Sequence, residues 1–220
     1  PVKRAAKSIM GQKLQAEADE QAWTRAVIRA AILLVLAFGA AWWWRDVPWP
    51  VGPDIGSASD PASDLALRQS AYLGWAAILI LIPAYYAFWS RNRSFEGWRT
   101  WRSHWTLGLW FLVLHILWSA YAAFGWNVTA MIASPRVAAF WPALAVLAWW
   151  LFDIWLAARQ DEETRLATAQ RVGLSLAVLA LYAKGALWDR GTLAGTILGA
   201  ALVAAAVIAS QDAWKKRGTR

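Results

Sequence analysis

Two ionisable side chains fall deep inside apolar stretches, and they are the residues best placed to do chemistry. His115 lies in 105–126 (WTLGLWFLVLHILWSAYAAFGW) and Asp153 in 137–158 (VAAFWPALAVLAWWLFDIWLAA). Each stretch reaches the about 20 residues a helix needs to cross the hydrocarbon of a bilayer. In lipid a carboxylate or imidazole without a partner is costly, so each must find one. If the first stretch enters from the side of 90–104, His115 lies roughly 15 Å along it, and Asp153 roughly 8 Å from the same face on the returning helix. Helical side chains lean toward their own N-terminus, so the two tilt toward each other. The reading is a His115–Asp153 hydrogen-bonded pair in which the carboxylate fixes the imidazole tautomer. Such a pair can glue two helices together. It can also present a ring nitrogen to haem or a chlorophyll-type pigment, bond a quinone, or relay protons. Trp118 and Trp149 lie on the same two stretches, as flat surfaces for a macrocycle or a carotenoid.

The elements that must position these residues follow from hydropathy. Of the 220 residues 59% are hydrophobic and only 16% charged, with the charges clustered between apolar runs, which is a membrane pattern. The expected fold is an all-α integral membrane protein with six transmembrane helices at 26–44, 71–89, 105–126, 137–158, 172–188 and 192–209. Residues 1–25 read as an amphipathic interfacial helix, 45–70 as an external loop rich in Pro, Gly, Asp and Ser, and 210–220 as a basic tail. The absence of cysteine excludes disulfides, thiolate metal sites and cysteine nucleophiles, and two histidines cannot build a three- or four-histidine metal site. His104 and His115 are about three helical turns apart, too far to grip one haem from both faces. No metal site and no catalytic constellation is expected.

Segment 90–104 carries Arg91, Arg93, Arg99 and Arg102 among Trp98 and Trp101. It reads as an interfacial helix whose arginines meet lipid phosphates or a partner's carboxylates. Segment 159–171 reads as a solvated, charged connector. Gly191, Gly195 and Gly199 repeat every four residues, a smooth strip that permits close helix packing within the chain or against another subunit. Many of the 19 tryptophans fall at helix ends, where indole rings anchor a helix at the headgroups. The segment Trp42-Trp43-Trp44-Arg45-Asp46 resembles the Trp-Trp-Asp-type motif of the cytochrome c maturation proteins that handle haem. It lacks the flanking histidines of that family, so no residue role is carried over.

Under this layout, counting Arg29 one turn into the first span, 17 Lys and Arg residues lie on the side of both chain ends and four on the other. That bias sets both ends in the cytoplasm of a bacterial inner membrane. The net charge of +8 therefore belongs to membrane loops, and no nucleic-acid partner is expected. The functional expectation is a non-catalytic accessory subunit of a larger membrane complex, electron-transfer or pigment–protein, in contact with lipids and other membrane subunits. The alternatives are a small-solute transporter and a haem- or quinone-binding protein that uses His115. A reporter active only in the cytoplasm is expected to be active when fused at either end and silent in the 45–70 loop. Opposite signals at the two ends would reject the assignment.

Overall fold

The computed structural model describes residues 2–46, 61–90, 95–133, 140–159, 164–184 and 193–218. Among them the regular structure is helical: α1 (Val2–Trp43), α2 (Pro61–Trp89), α3 (Phe95–Phe124), α4 (Val128–Ala133), α5 (Phe140–Arg159), α6 (Arg165–Ala183) and α7 (Leu193–Gly218). Six are long and apolar enough to cross a membrane, all but the six-residue α4. The number of spanning helices agrees with the hydropathy reading. Arg91, Arg93, Gly191 and most of the 45–70 loop lie outside the described residues.

Several boundaries differ from the sequence expectation, each for a local reason. α1 is one uninterrupted helix of 42 residues, because Ala, Gln, Glu and Lys in its first half favour helix as strongly as the apolar half does. α2 starts at Pro61, where the missing N–H costs nothing at a first turn. α3 begins at Phe95, so the segment expected to lie along the interface runs straight into the third span. It ends at Gly125 and Trp126, both in the left-handed region, with the Trp126 N–H donating to Ala120 O at 3.1 Å. Asn127 then caps α4 by accepting from the Ala130 N–H at 3.0 Å, which gives this side chain a structural role. α6 starts at Arg165 because the Thr164 hydroxyl accepts the Ala167 N–H at 3.1 Å. The charged connector is therefore shorter than expected, and Gln170 and Arg171 lie inside a helix. α7 carries the chain as helix to Gly218, through what reads in sequence as a tail, and its Asp212 accepts from the Tyr86 hydroxyl at 3.1 Å.

The centre of the fold is the α2–α3 pair. α7 and α1 pack on α2, α1 also touches α3, and α5 and α6 join from the side through α3 and α7. α2 is accordingly the most enclosed span, 56% buried inside the chain against 17% for α5. Small residues make the close approaches. Ala22, Ala26, Ala30, Ala37 and Ala41 form the buried stripe of α1, at helical spacings of four and seven. Gly195, Gly199, Leu202, Ala206 and Ala209 form the buried stripe of α7. Two of the three glycines in the expected strip thus face inward within this chain.

Gly108 sets the tightest of these contacts. A Cβ there would stand 2.4 Å from Leu81 Cδ2 and 2.8 Å from its Cγ, and Leu81 is fully buried and cannot swing out. Gly108→Ala is expected to lower the thermal unfolding midpoint in detergent, at a cost of about 1–3 kcal/mol for overpacking. Gly39→Ala has nothing within 4 Å of the new methyl. It should leave the midpoint unchanged or raise it by up to about 1 kcal/mol of helix propensity. An unshifted midpoint for Gly108→Ala would mean that the α2–α3 seam has slack.

Candidate functional site

Asp153 draws three side-chain donors from two neighbouring helices, and its partners are not those the sequence reading gave it. Its carboxylate, fully buried on α5, accepts from the Trp105 indole N–H of α3 at 3.0 Å and from Arg171 Nε of α6 at 3.1 Å. It also accepts from the Gln170 side-chain amide. The Gln170 carbonyl in turn accepts the Trp149 indole N–H at 2.7 Å. Gly173, one turn from Gln170, makes room for that indole: a Cβ there would meet the Trp149 ring at 3.1 Å. Four side chains from three helices thus converge directly or indirectly on one carboxylate.

The cation is enclosed as fully as the anion, with exposures of 2% for Arg171 and 0% for Asp153, so water screens neither charge. The Arg171 guanidinium lies 5.1 Å from the ring centroids of both Trp98 and Trp101, where the negative faces of the indoles attract it. Trp101 stacks on Trp105 with centroids 6.2 Å apart, and Trp105 meets Trp150 at 4.5 Å. Tyr85 closes the box edge-on to Trp105 at 6.0 Å and donates its hydroxyl to Ser175 O on α6 at 2.6 Å. Trp98 and Trp101, expected to lie on an interfacial helix, form with Trp105 an aromatic wall around an ion pair. An ion pair in a dry, low-dielectric box is strong only when its remaining hydrogen-bonding capacity is filled. Trp105 and Gln170 do this for the carboxylate.

His115 lies elsewhere. Its Nδ1 donates to the backbone carbonyl of Ser70 on α2 at 2.8 Å, and the Ser70 hydroxyl is 3.4 Å from the same nitrogen. Ser119, one turn further along α3, bonds the Ser70 hydroxyl. Gly74 accommodates the ring, since a Cβ there would already touch His115 Nδ1 at 3.4 Å. The expected His115–Asp153 pair is therefore corrected. Asp153 sits at the level of Trp105, ten residues and about 15 Å along α3 from His115, too far for any lean of the side chains to bridge. Trp118 belongs to a third group, edge-on to Phe38 of α1 at 5.3 Å and near Tyr121 at 5.8 Å. Of the four residues expected to share one cofactor site, only Asp153 and Trp149 are linked, through Gln170.

His104 is buried too. Its Nδ1 donates to Thr100 O at 2.9 Å, and its Nε2 accepts from Arg29 of α1 at 3.2 Å, which assigns the neutral tautomer. Arg99, expected to meet lipid or a partner, is held by Asp19 of α1. Gln170 and Arg171 are the residues that sequence reasoning missed. The signals were present: Thr164 as an N-cap, and a deep carboxylate that needed a cation at the head of the next apolar run. No family model, curated protein or solved structure matches the chain.

Removing one member of the pair strands the other charge. Asp153→Leu and Arg171→Met are each expected to cost about 3–5 kcal/mol, read as a large drop in thermal midpoint in detergent. The double variant Asp153→Leu with Arg171→Met should recover most of that loss, because an apolar replacement leaves no buried charge. Additive losses in the double variant would contradict a directly coupled pair.

Proposed function

We propose that this chain is a non-catalytic structural subunit of a larger assembly in a bacterial inner membrane, of the electron-transfer or pigment–protein kind, with both ends in the cytoplasm. The observation that carries the reading is the engagement of Asp153 by Trp105, Gln170 and Arg171 of its own chain. A buried carboxylate that accepts three donors from the two helices beside it joins those helices, which is a structural role. The Lys and Arg bias supports the orientation. The outer surface supports the assembly. α5 turns Trp141, Leu144, Leu151, Phe152 and Trp155 outward, and α1 does the same with Ile28, Ile32, Val35 and Leu36. Such faces suit lipid or the helices of neighbouring subunits.

One observation favours a second reading, a haem- or quinone-binding protein. The bond from His115 Nδ1 to Ser70 O is the contact that orients an imidazole whose Nε2 ligates.

Purification from native membranes in mild detergent, with a photo-crosslinking residue at Phe152, tests the first reading. The expected result is a small set of membrane-protein partners at fixed stoichiometry, crosslinked through α5. A chain that runs alone and crosslinks only to lipid would overturn it. An absorption spectrum of the same preparation tests the second: a Soret or pigment band lost in His115→Ala would establish it.

A further inference from the structure

A cleft of about 90 Å³ opens between α1, α3 and α5 and shares Trp101 and Trp105 with the aromatic wall around Asp153. Trp23 of α1, Trp101, Arg102, Trp105 and Thr106 of α3, and Ile154, Ala157 and Ala158 of α5 line it. Its residues with a charge or a hydroxyl, Arg102 and Thr106, lie one turn apart on α3, and α5 contributes only the apolar Ile154, Ala157 and Ala158.

Arg102 differs from the cations around it. Arg29 is bonded to His104, Arg99 to Asp19 and Arg171 to Asp153. Among the described residues no carboxylate lies within ion-pairing distance of Arg102. Its level is also fixed. It is the last charged residue on α3 before a run from 103 to 135 with no Asp, Glu, Lys or Arg. On α5 the cleft ends at Ala158, and the next residue is Arg159, whose guanidinium sits 4.6 Å over the Trp155 ring. On α1 it is reached by Trp23, two residues before Arg25. All three helices therefore present to the cleft the point where their apolar stretches meet charge, which is headgroup depth.

We propose that this cleft binds the phosphate-bearing headgroup of an anionic membrane phospholipid. Arg102 pairs with the phosphate, Thr106 donates to a headgroup oxygen, and Trp23 flanks the glycerol region. One acyl chain follows the Ile154–Ala157–Ala158 track. A planar guanidinium suits phosphate oxygens through paired N–H donors. A phosphodiester suits an arginine and a hydroxyl one helical turn apart, and the apolar residues from α5 favour a lipid over a free anion. The inference is independent of the subunit reading, because a lone chain in a bilayer would bind the same lipid.

The test is native mass spectrometry of the full chain released from mixed bilayers of phosphatidylglycerol, phosphatidylethanolamine and phosphatidylcholine. The wild-type chain is expected to retain phosphatidylglycerol preferentially. Arg102→Gln should reduce that preference about fivefold, the factor one interfacial cation is worth. Arg102→Lys should keep part of it, and Arg45→Gln, beyond the other end of α1, should keep all of it. Ala158→Phe, an exposed position that fills the track and keeps the charge, should also lose the lipid, which covers a folding defect in Arg102→Gln. Inorganic phosphate at millimolar concentration should not displace the bound lipid. Equal retention of the three lipids by the wild type, an unchanged preference in both Arg102→Gln and Ala158→Phe, or displacement by phosphate would each overturn the proposal.

Discussion

A carboxylate sealed from water must be surrounded by donors, and in this chain that requirement decides where three helices sit. Asp153 supplies one anion on α5. α3 answers with an indole N–H, and α6 answers with an amide and a guanidinium. In hydrocarbon there is little hydrophobic drive to hold helices together, so packing and interhelical hydrogen bonds must do it. α5 is the least enclosed of the six spans, and the bonds to Asp153 stand in for the contact area it lacks. The aromatic wall of Trp98, Trp101, Trp105 and Trp150 then serves two purposes, excluding water from the ion pair and offering ring faces to its cation.

The other half of the bundle is held differently. α1, α2, α3 and α7 meet through small residues, with glycine at the closest approach of α3 to Leu81 and alanine or glycine along the buried stripes of α1 and α7. Polar contacts there fix register more than they supply adhesion. Arg29 with His104 and Asp19 with Arg99 set the height of α1 against α3. Ser70, His115 and Ser119 do the same between α2 and α3.

Hydropathy alone gave the all-helical fold and its six long apolar helices, because a twenty-residue apolar run has few other solutions. Asp153 could be singled out for the same reason: a lone carboxylate in such a run must be compensated. Its partners were harder to read. Depth follows from counting along a span, and α3 begins ten residues before its apolar run does. The cap at Thr164 and the unbroken start of α3 shift Arg171 and Trp105 to the level of Asp153 and leave His115 some three turns away. Interhelical neighbours depend on which spans are adjacent and how they are rotated, and neither is written in the hydropathy of one chain. Trp98 and Trp101 carried the same ambiguity, since a tryptophan near a helix end suits a headgroup and a buried guanidinium equally well.

α1 has a mechanical consequence. At about 1.5 Å per residue its 42 residues form a rod roughly 63 Å long, about twice the thickness of the hydrocarbon layer. With no break between its charged half and its apolar half, the two share one rotational phase. A torque applied to the outer half is passed undiminished to the alanine seam, and each residue added or removed at the junction would turn one half against the other by about 100°.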